Sequence, residues 1–285
     1  MKIMVTGAAG MLGQDLVSSL RDDEVLPVDI AGDTIPLDIT DLRAVTEMVE
    51  KTKPDIVLHL AAYTNVDGCS TDPEIAWIVN AAGTWNLAAA CQQTDAAMLY
   101  ISTDFVFDGS KQTPYDEFDS PDPISVYGRT KYAGELFVQR MVRKHYIVRT
   151  AWLYGPLGKS FPGTMIRMAG EGKPIRVVGD QVGSPTYTVD LAETVSRIIR
   201  QPLHGIYHVT NSGECSWFDF AKAAVEDYGV PDAQISAITS DEWPTPTKRP
   251  AYSVMEHRSL ILAGLPAMRP WREALQDFLK RIKQT

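Results

Sequence analysis

Short apolar runs alternate with amphipathic stretches through the first half of the chain. KIMVT (2–6), VLPVDI (25–30), DIVLHLAA (55–62), AMLYIST (97–103) and HYIVRT (145–150) read as strands. The unbroken apolar character of 55–62 and 97–103 marks strands buried on both faces. Between the strands, the spacing predicts helices over 11–20, 38–51, 75–94 and 126–142. In the first of these Leu12, Leu16 and Leu20 recur on one face, and Thr40 is the expected N-cap of the second. Strands alternating with helices imply a parallel sheet covered on both sides, and right-handed crossovers make it doubly wound. Beyond residue 150 glycines and prolines come at shorter intervals, with helices expected at 189–200, 217–228 and 270–283. The chain therefore reads as an α/β protein: a Rossmann-like doubly wound sheet over 1–150, with a second, smaller α/β lobe over 151–285 packed directly on it. Some segments of the second half are expected to return to the first domain.

Within this frame VTGAAGMLG places Gly7, Gly10 and Gly13 between the first strand and the first helix. A tight turn, a close backbone approach to a pyrophosphate and tight helix–sheet packing each need a glycine there, and the helix N-terminus supplies N–H groups for the phosphates. The spacing is G-x-x-G-x-x-G, and its strand–turn–helix setting points to a dinucleotide. Asp29 ends the second strand, where a carboxylate accepts from a ribose 2′-hydroxyl and repels a 2′-phosphate. Ile30, Ala31 and Gly32 follow it without a cation, so the residues themselves lean toward NADH. Asp38 and Ile39 open the next unit and could touch the adenine.

The chemistry is expected at the C-terminal ends of the strands. The strand over 97–103 delivers Ser102, Thr103 and Asp104 there, and SVYGRTK (125–131) stacks Tyr127 and Lys131 one helical turn apart. A free tyrosine titrates near 10, too high for an efficient acid–base at neutral pH. A neighbouring ammonium would stabilise the phenolate and bring that value down, while Thr103 could bind a carbonyl oxygen. Hydride to the carbonyl carbon and a proton from Tyr127 would then complete a ketone reduction.

These segments, with HLAAYTNVD (59–67), YISTDFVFDG (100–109), TAWLYG (150–155), GDQVGSPTYTVDLA (179–192) and RPAYSV (249–254), resemble the dTDP-4-dehydrorhamnose reductases of the extended short-chain dehydrogenase/reductase superfamily. The resemblance spans nearly the whole chain. It implies a dTDP-sugar 4-ketoreductase with Tyr127 as proton donor, Lys131 as its electrostatic partner and Thr103 as third member. It implies cofactor contacts from Gly7, Gly10, Met11, Leu12, Gly13, Asp29, Asp38, Ile39, Ala61, Ala62, Tyr63, Tyr127 and Lys131. Thr103, Asp104 and Trp152 would line the sugar site, and 151–285 would be mainly substrate-binding. Relatives are usually assayed with NADPH, so NADPH and NADH both stay open. The choice of thymidine and of rhamnose comes from the resemblance alone.

Arg249 is the basic residue expected to hold the substrate diphosphate through bidentate hydrogen bonds, with a plain surface arginine as the alternative. Trp243 could stack on a nucleotide or simply pack. Related dehydratases follow the catalytic threonine with Asp-Glu, whereas here Asp104 is followed by Phe105, which favours simple reduction. A 4-epimerase and a non-catalytic subunit resembling the methionine adenosyltransferase β subunit are the alternatives. His204 and His208 read as structural, and no metal site is expected. Some relatives form homodimers with magnesium near the interface, where Asp15 and Asp190 could serve, but both read as ordinary helix-surface residues.

Bulk composition adds limits. Hydrophobic residues make up 45% and charged residues 22%, as in ordinary globular chains. A net charge of −9 argues against nucleic acid or an anionic membrane as partner. The charge is uneven: 12 Lys/Arg against 22 Asp/Glu over 1–150, and 15 against 14 over 151–285. An anionic small molecule meets less repulsion in the second half. Cys69, Cys91 and Cys215 are odd in number and far apart, which suits free thiols in a reducing cytoplasm. The N-terminal apolar run is too short for a signal sequence, and no long apolar span follows.

Overall fold

The apolar runs form strands whose side chains divide between two cores with a period of two. In the computed structural model, which describes residues 1–230 and 232–284, β1 (Lys2–Thr6), β2 (Glu24–Asp29), β3 (Ile35–Pro36), β4 (Ile56–His59), β5 (Ala97–Thr103) and β6 (His145–Thr150) belong to one sheet. Its seventh strand is Gly205–His208, and the order is Gly205–His208, β6, β5, β4, β1, β2, β3. Every pairing is parallel.

Ile3, Val5, Leu58, Leu99 and Val148 face one core, where Leu12, Leu16 and Leu20 meet Leu191, Val195 and Ile198. Met4, Val57, Met98, Tyr100 and Ile147 face the other, against Val45, Val49, Leu87 and Val138. Each fully buried aliphatic side chain contributes about 1.5–3 kcal/mol, so a one-residue slip of a strand would forfeit both faces at once. The helix Met11–Ser19 thus uses the leucine stripe read from its spacing.

Boundaries differ in instructive places. The second helix runs Leu42–Thr52, and its N-cap is Asp41, which accepts from Ala44 N at 3.1 Å. Thr40 is not the cap, because its hydroxyl donates to Asp38 Oδ1 at 2.8 Å. β4 ends at His59, well short of residue 62, because the chain must leave the sheet to form the site. The 75–94 helix begins at Pro73 and contains a π-helical turn, Trp77–Ala82. Such turns recur at functional sites.

The second half builds a third core from Tyr154, Ile175, Val177, Phe220, Leu275 and Phe278, among others. It sits between the helices Phe161–Gly170, Trp217–Tyr228 and Trp271–Gln284 and a parallel pair of strands, Ile175–Val178 and Ile235–Ile238. The strand Gly205–His208 instead joins the large sheet, and the helix Thr188–Ile198 packs on that sheet's first core beside the Met11–Ser19 helix. Among the described residues no helix is long and apolar enough to cross a membrane.

Candidate active site

The strand order reverses between β1 and β4, which opens a crevice beyond their C-terminal ends. Gly7 turns there with φ 72°, and a Cβ on it would stand 2.6 Å from Ala61 N. No other residue fits that contact. A Cβ on Gly13 would lie 2.1 Å from Gly7 O, so the helix can press against the turn only through glycine. Gly10 is the N-cap of the Met11–Ser19 helix and offers it no side-chain cap. The first-turn N–H groups of Met11 and Leu12 therefore have no capping side chain, which fits an anionic diphosphate at this end.

Asp29 closes the corner. Its Oδ2 accepts from Ala9 N at 3.0 Å, and its Oδ1 accepts from Ile30 N at 2.7 Å and Ala31 N at 3.3 Å. The carboxylate therefore also holds the glycine turn in place. Asp38 is exposed, whereas Ile39 is buried in the core with its carbonyl taken by Asn86 Nδ2 at 2.8 Å. Ala61 stands opposite Gly7, and Ala62 and Tyr63 follow it in the chain.

Tyr63 is fixed by a residue the sequence did not single out. Asn80, buried in the π-helical turn, accepts from Tyr63 N at 2.7 Å and donates to Tyr63 O and to Thr130 Oγ1, each at 3.1 Å. It ties the segment after β4 to the helix that carries Tyr127 and Lys131.

That helix, Val126–Met141, starts where Ser125 Oγ accepts from Gly128 N at 3.0 Å. A Cβ on Gly128 would lie 2.1 Å from Phe105 O, so this glycine lets the helix seat against the turn after β5. Tyr127, Thr103 and Asp104 meet at this seam. Phe105 stands edge-on to the Tyr127 ring at 5.5 Å. Thr103 and Asp104 are 5% and 2% exposed. Thr103 Oγ1 donates to Asp104 Oδ1 at 3.0 Å and accepts from Phe105 N at 3.2 Å, while Ser253 Oγ donates to Asp104 Oδ2 at 2.7 Å.

Burial sets the acidities here. It pushes Asp104 up to about 6, against the pull of its hydrogen bonds from Ser253 and Thr103. Burial first and the Asp104 charge second push Tyr127 above its ordinary value, with a Thr103 hydrogen bond opposing. Burial brings Lys131 down to about 7, with Glu135 pulling it up.

The expectation that Lys131 lowers the Tyr127 value is corrected: burial raises it, and Lys131 is not among the groups that move it. The ammonium donates to Ile101 O at 2.7 Å and lies 4.1 Å from the Tyr100 ring centroid. Beneath it Glu135 pairs with Arg149 through two bonds at 2.9 and 2.7 Å and also accepts from Ser102 Oγ. Both charged residues are essentially inaccessible, at 0% and 1% exposed.

On the second lobe a cavity of about 900 Å³ is lined by Phe161, Trp217, Trp243, Lys248 and Arg249, among others. Trp152 backs it: its ring stacks on Trp217 at 3.6 Å and 10°, and its backbone holds φ 49°, rare for a bulky side chain. Trp243 is 52% exposed on the cavity wall rather than packed inside. Arg249 is not a plain surface arginine. It reaches Asp67 at 3.2 Å, and its buried Nε has no partner among the described residues.

Asp15 and Asp190 are not ordinary surface residues either. Asp15 is buried and accepts from Thr188 Oγ1 at 2.6 Å, and Asp190 takes a two-pronged contact from Arg269 at 2.8 Å. His208 is buried against Glu256 O and Arg149, and His204 lies against the Tyr146 ring. The three cysteines are free and buried.

A glycine-lined dinucleotide crevice beside a Thr–Tyr–Lys corner, on a doubly wound sheet, defines an extended short-chain dehydrogenase/reductase. The family model described as RmlD substrate binding domain matches residues 1–284. A dTDP-4-dehydrorhamnose reductase of Mycolicibacterium smegmatis is 42% identical, over 99% of this chain and 86% of its own length. The solved structure of a dTDP-4-dehydrorhamnose reductase from Clostridium acetobutylicum, 42% identical, superposes with TM-score 0.95 over 99% of this chain and all of its own. One from Bacillus anthracis, solved in complex with NADP, is 40% identical, with TM-score 0.93 over 99% of each chain. The chain belongs to the dTDP-4-dehydrorhamnose reductase family.

Proposed function

We propose that this protein reduces the 4-keto group of dTDP-4-dehydro-L-rhamnose to give dTDP-L-rhamnose, using NADPH or NADH, with Tyr127 as the proton donor. The observation that carries this is the meeting of Tyr127 with Thr103 at the dry end of β5, beside the glycine crevice. A reduced nicotinamide, when bound, supplies the hydride. Gly7, Gly10, Met11, Leu12 and Gly13 hold its phosphates, Asp29 and Asp38 take polar groups of the nucleoside, and Ile39, Ala61, Ala62 and Tyr63 shape the walls.

With its value raised, Tyr127 keeps its proton at neutral pH and yields it only to the strong base that forms as the carbonyl carbon is reduced. Lys131 is the cation that offsets the phenolate left behind. Residues 151–285 act mainly as the substrate domain. Trp152 flanks the sugar, and Arg249, with a free buried Nε, faces the diphosphate. Incubating the protein with dTDP-4-dehydro-L-rhamnose and each cofactor should give dTDP-L-rhamnose and oxidised cofactor one for one. Intact sugar with neither cofactor oxidised rejects the reading.

The protein acts as a homodimer in the cytoplasm. Ile75, Trp77, Ile78 and Trp85 stand 39–45% exposed along one helical run, a patch that marks an interface. Exposed Glu74 lies at its start, and exposed Arg140 lies near the end of the adjacent Val126–Met141 helix. A two-fold pairing would bring these opposite charges together. Trp77→Glu should convert the dimer to monomer in sedimentation, and an unchanged mass would exclude this face. The free thiols suit a reducing compartment.

A further inference from the structure

The Thr103 hydroxyl cannot do two things at once. It has one hydrogen, which lies toward Asp104 Oδ1 at 3.0 Å with the Tyr127 oxygen as its competitor, while a lone pair is held by Phe105 N at 3.2 Å. With Asp104 ionised, the charge-assisted bond keeps the hydrogen there, and Thr103 has nothing to donate to a carbonyl oxygen.

Among the described residues, no cation sets the acidity of Asp104. The groups that set its acidity are the Ser253 and Thr103 hydroxyls and the backbone N–H groups of Asp104 and Phe105. From the Val126–Met141 helix it faces Tyr127, whose acidity its charge weakens. Lys131 on the same helix is turned to Ile101 O. From the second lobe it meets Ser253, which is itself anchored by its N–H on Val182 O at 2.9 Å.

We propose that Asp104 is a positioning residue that works as a neutral acid: a proton shared among Asp104, Ser253 and Thr103 turns the Thr103 hydroxyl toward the substrate's 4-oxygen. Resting on the reductase reading, the step balances as follows. The carbonyl π bond breaks as the new C–H bond forms, with the hydride and its electron pair given up by a C–H bond of the reduced nicotinamide when that is bound; the Tyr127 O–H breaks, and its proton makes the alcohol. The Asp104 proton stays within its set of three and is not consumed. Neutral Asp104 also removes the negative charge that opposes formation of the Tyr127 phenolate. The second lobe, through Ser253, thereby tunes the catalytic corner of the first.

The test is kcat against pH for reduction by the full-length protein at saturating cofactor and sugar, for wild type, Ser253→Ala and Asp104→Asn. The wild type should lose rate as pH rises past the Asp104 titration, which lies at about 6, before a later fall from Lys131. Ser253→Ala removes a bond that favours the carboxylate, so its first fall should move up by roughly one pH unit and merge with the later one into a single, steeper fall. Asp104→Asn should be slower but keep only the later fall. A Ser253→Ala profile that is merely scaled down, with its first fall unmoved, overturns the proposal even where Asp104→Asn does not fold. A wild type that reduces no dTDP-4-keto sugar at any pH overturns the reductase reading, and this proposal with it.

Discussion

Two corners of one sheet form the candidate site, and they are built on opposite rules. At the ends of β1 and β2 the backbone shapes the crevice: glycines bring N–H groups to it, and Asp29 keeps its carboxylate among three N–H groups. At the end of β5 side chains do the work in a dry seam, and burial moves the acidities of Asp104, Tyr127 and Lys131. The first corner depends on shape that a single methyl group would spoil. The second depends on charge that water would screen. A dinucleotide can thus be held at the wet rim while the acid–base groups stay tuned inside.

The charge corner should break most severely. Glu135→Gln leaves Arg149 as an unpaired buried cation, and breaking such a pair costs about 3–5 kcal/mol. Chemical denaturation should show that loss, and a change below about 1 kcal/mol would mean that water reaches the pair. At the shape corner, Gly7→Val drives a side chain into Ala61 N and the Leu60 carbonyl carbon. We expect dinucleotide affinity to fall at least about a hundredfold by calorimetry, with far-UV circular dichroism retained.

A smaller effect comes from His59 and His208, both buried and both held well below 6.5 by burial first, with Lys131 and Arg149 respectively adding to the shift. The folded state keeps them neutral, whereas the unfolded chain takes up protons below 6.5. Stability is therefore full above that pH and is lost as pH falls, by up to about 2 kcal/mol per histidine at pH 5. A melting temperature that is flat between pH 7 and 5 would contradict this. The smallest change concerns cofactor choice. Asp29→Asn keeps one acceptor oxygen for Ile30 N and Ala31 N, loses the one that Ala9 N uses and removes the charge; it should improve NADPH relative to NADH about tenfold in kcat/KM. An unaltered ratio would mean that Asp29 only holds the turn.

Legibility followed the same division. β5 and β6 begin and end where the apolar runs do, and the glycine turn announces itself because no other residue fits it. Tyr127, Lys131, Thr103 and Asp104 were visible from strand end and helix spacing. Glu135 was not, because a glutamate four residues after a lysine reads as an exposed ion pair along a helix. The available signal was Arg149, a charge inside the apolar run HYIVRT, which calls for a buried partner. The helix Phe161–Gly170 was masked by Pro162 and Gly163, although proline in the first turn favours a helix start. Ser253 reaches Asp104 across 149 residues of chain, and no local pattern encodes such a contact.

The central claim is that the β5 corner performs the reduction while the glycine corner only holds the dinucleotide. Nicotinamide absorbance with dTDP-4-dehydro-L-rhamnose, followed for wild type and Tyr127→Phe beside a dinucleotide titration of each, tests it most directly. Turnover by the variant should fall by about 10²–10⁴-fold with dinucleotide affinity nearly unchanged. A variant that reduces the sugar within about tenfold of wild type would take the proton donor, and the account, away from Tyr127.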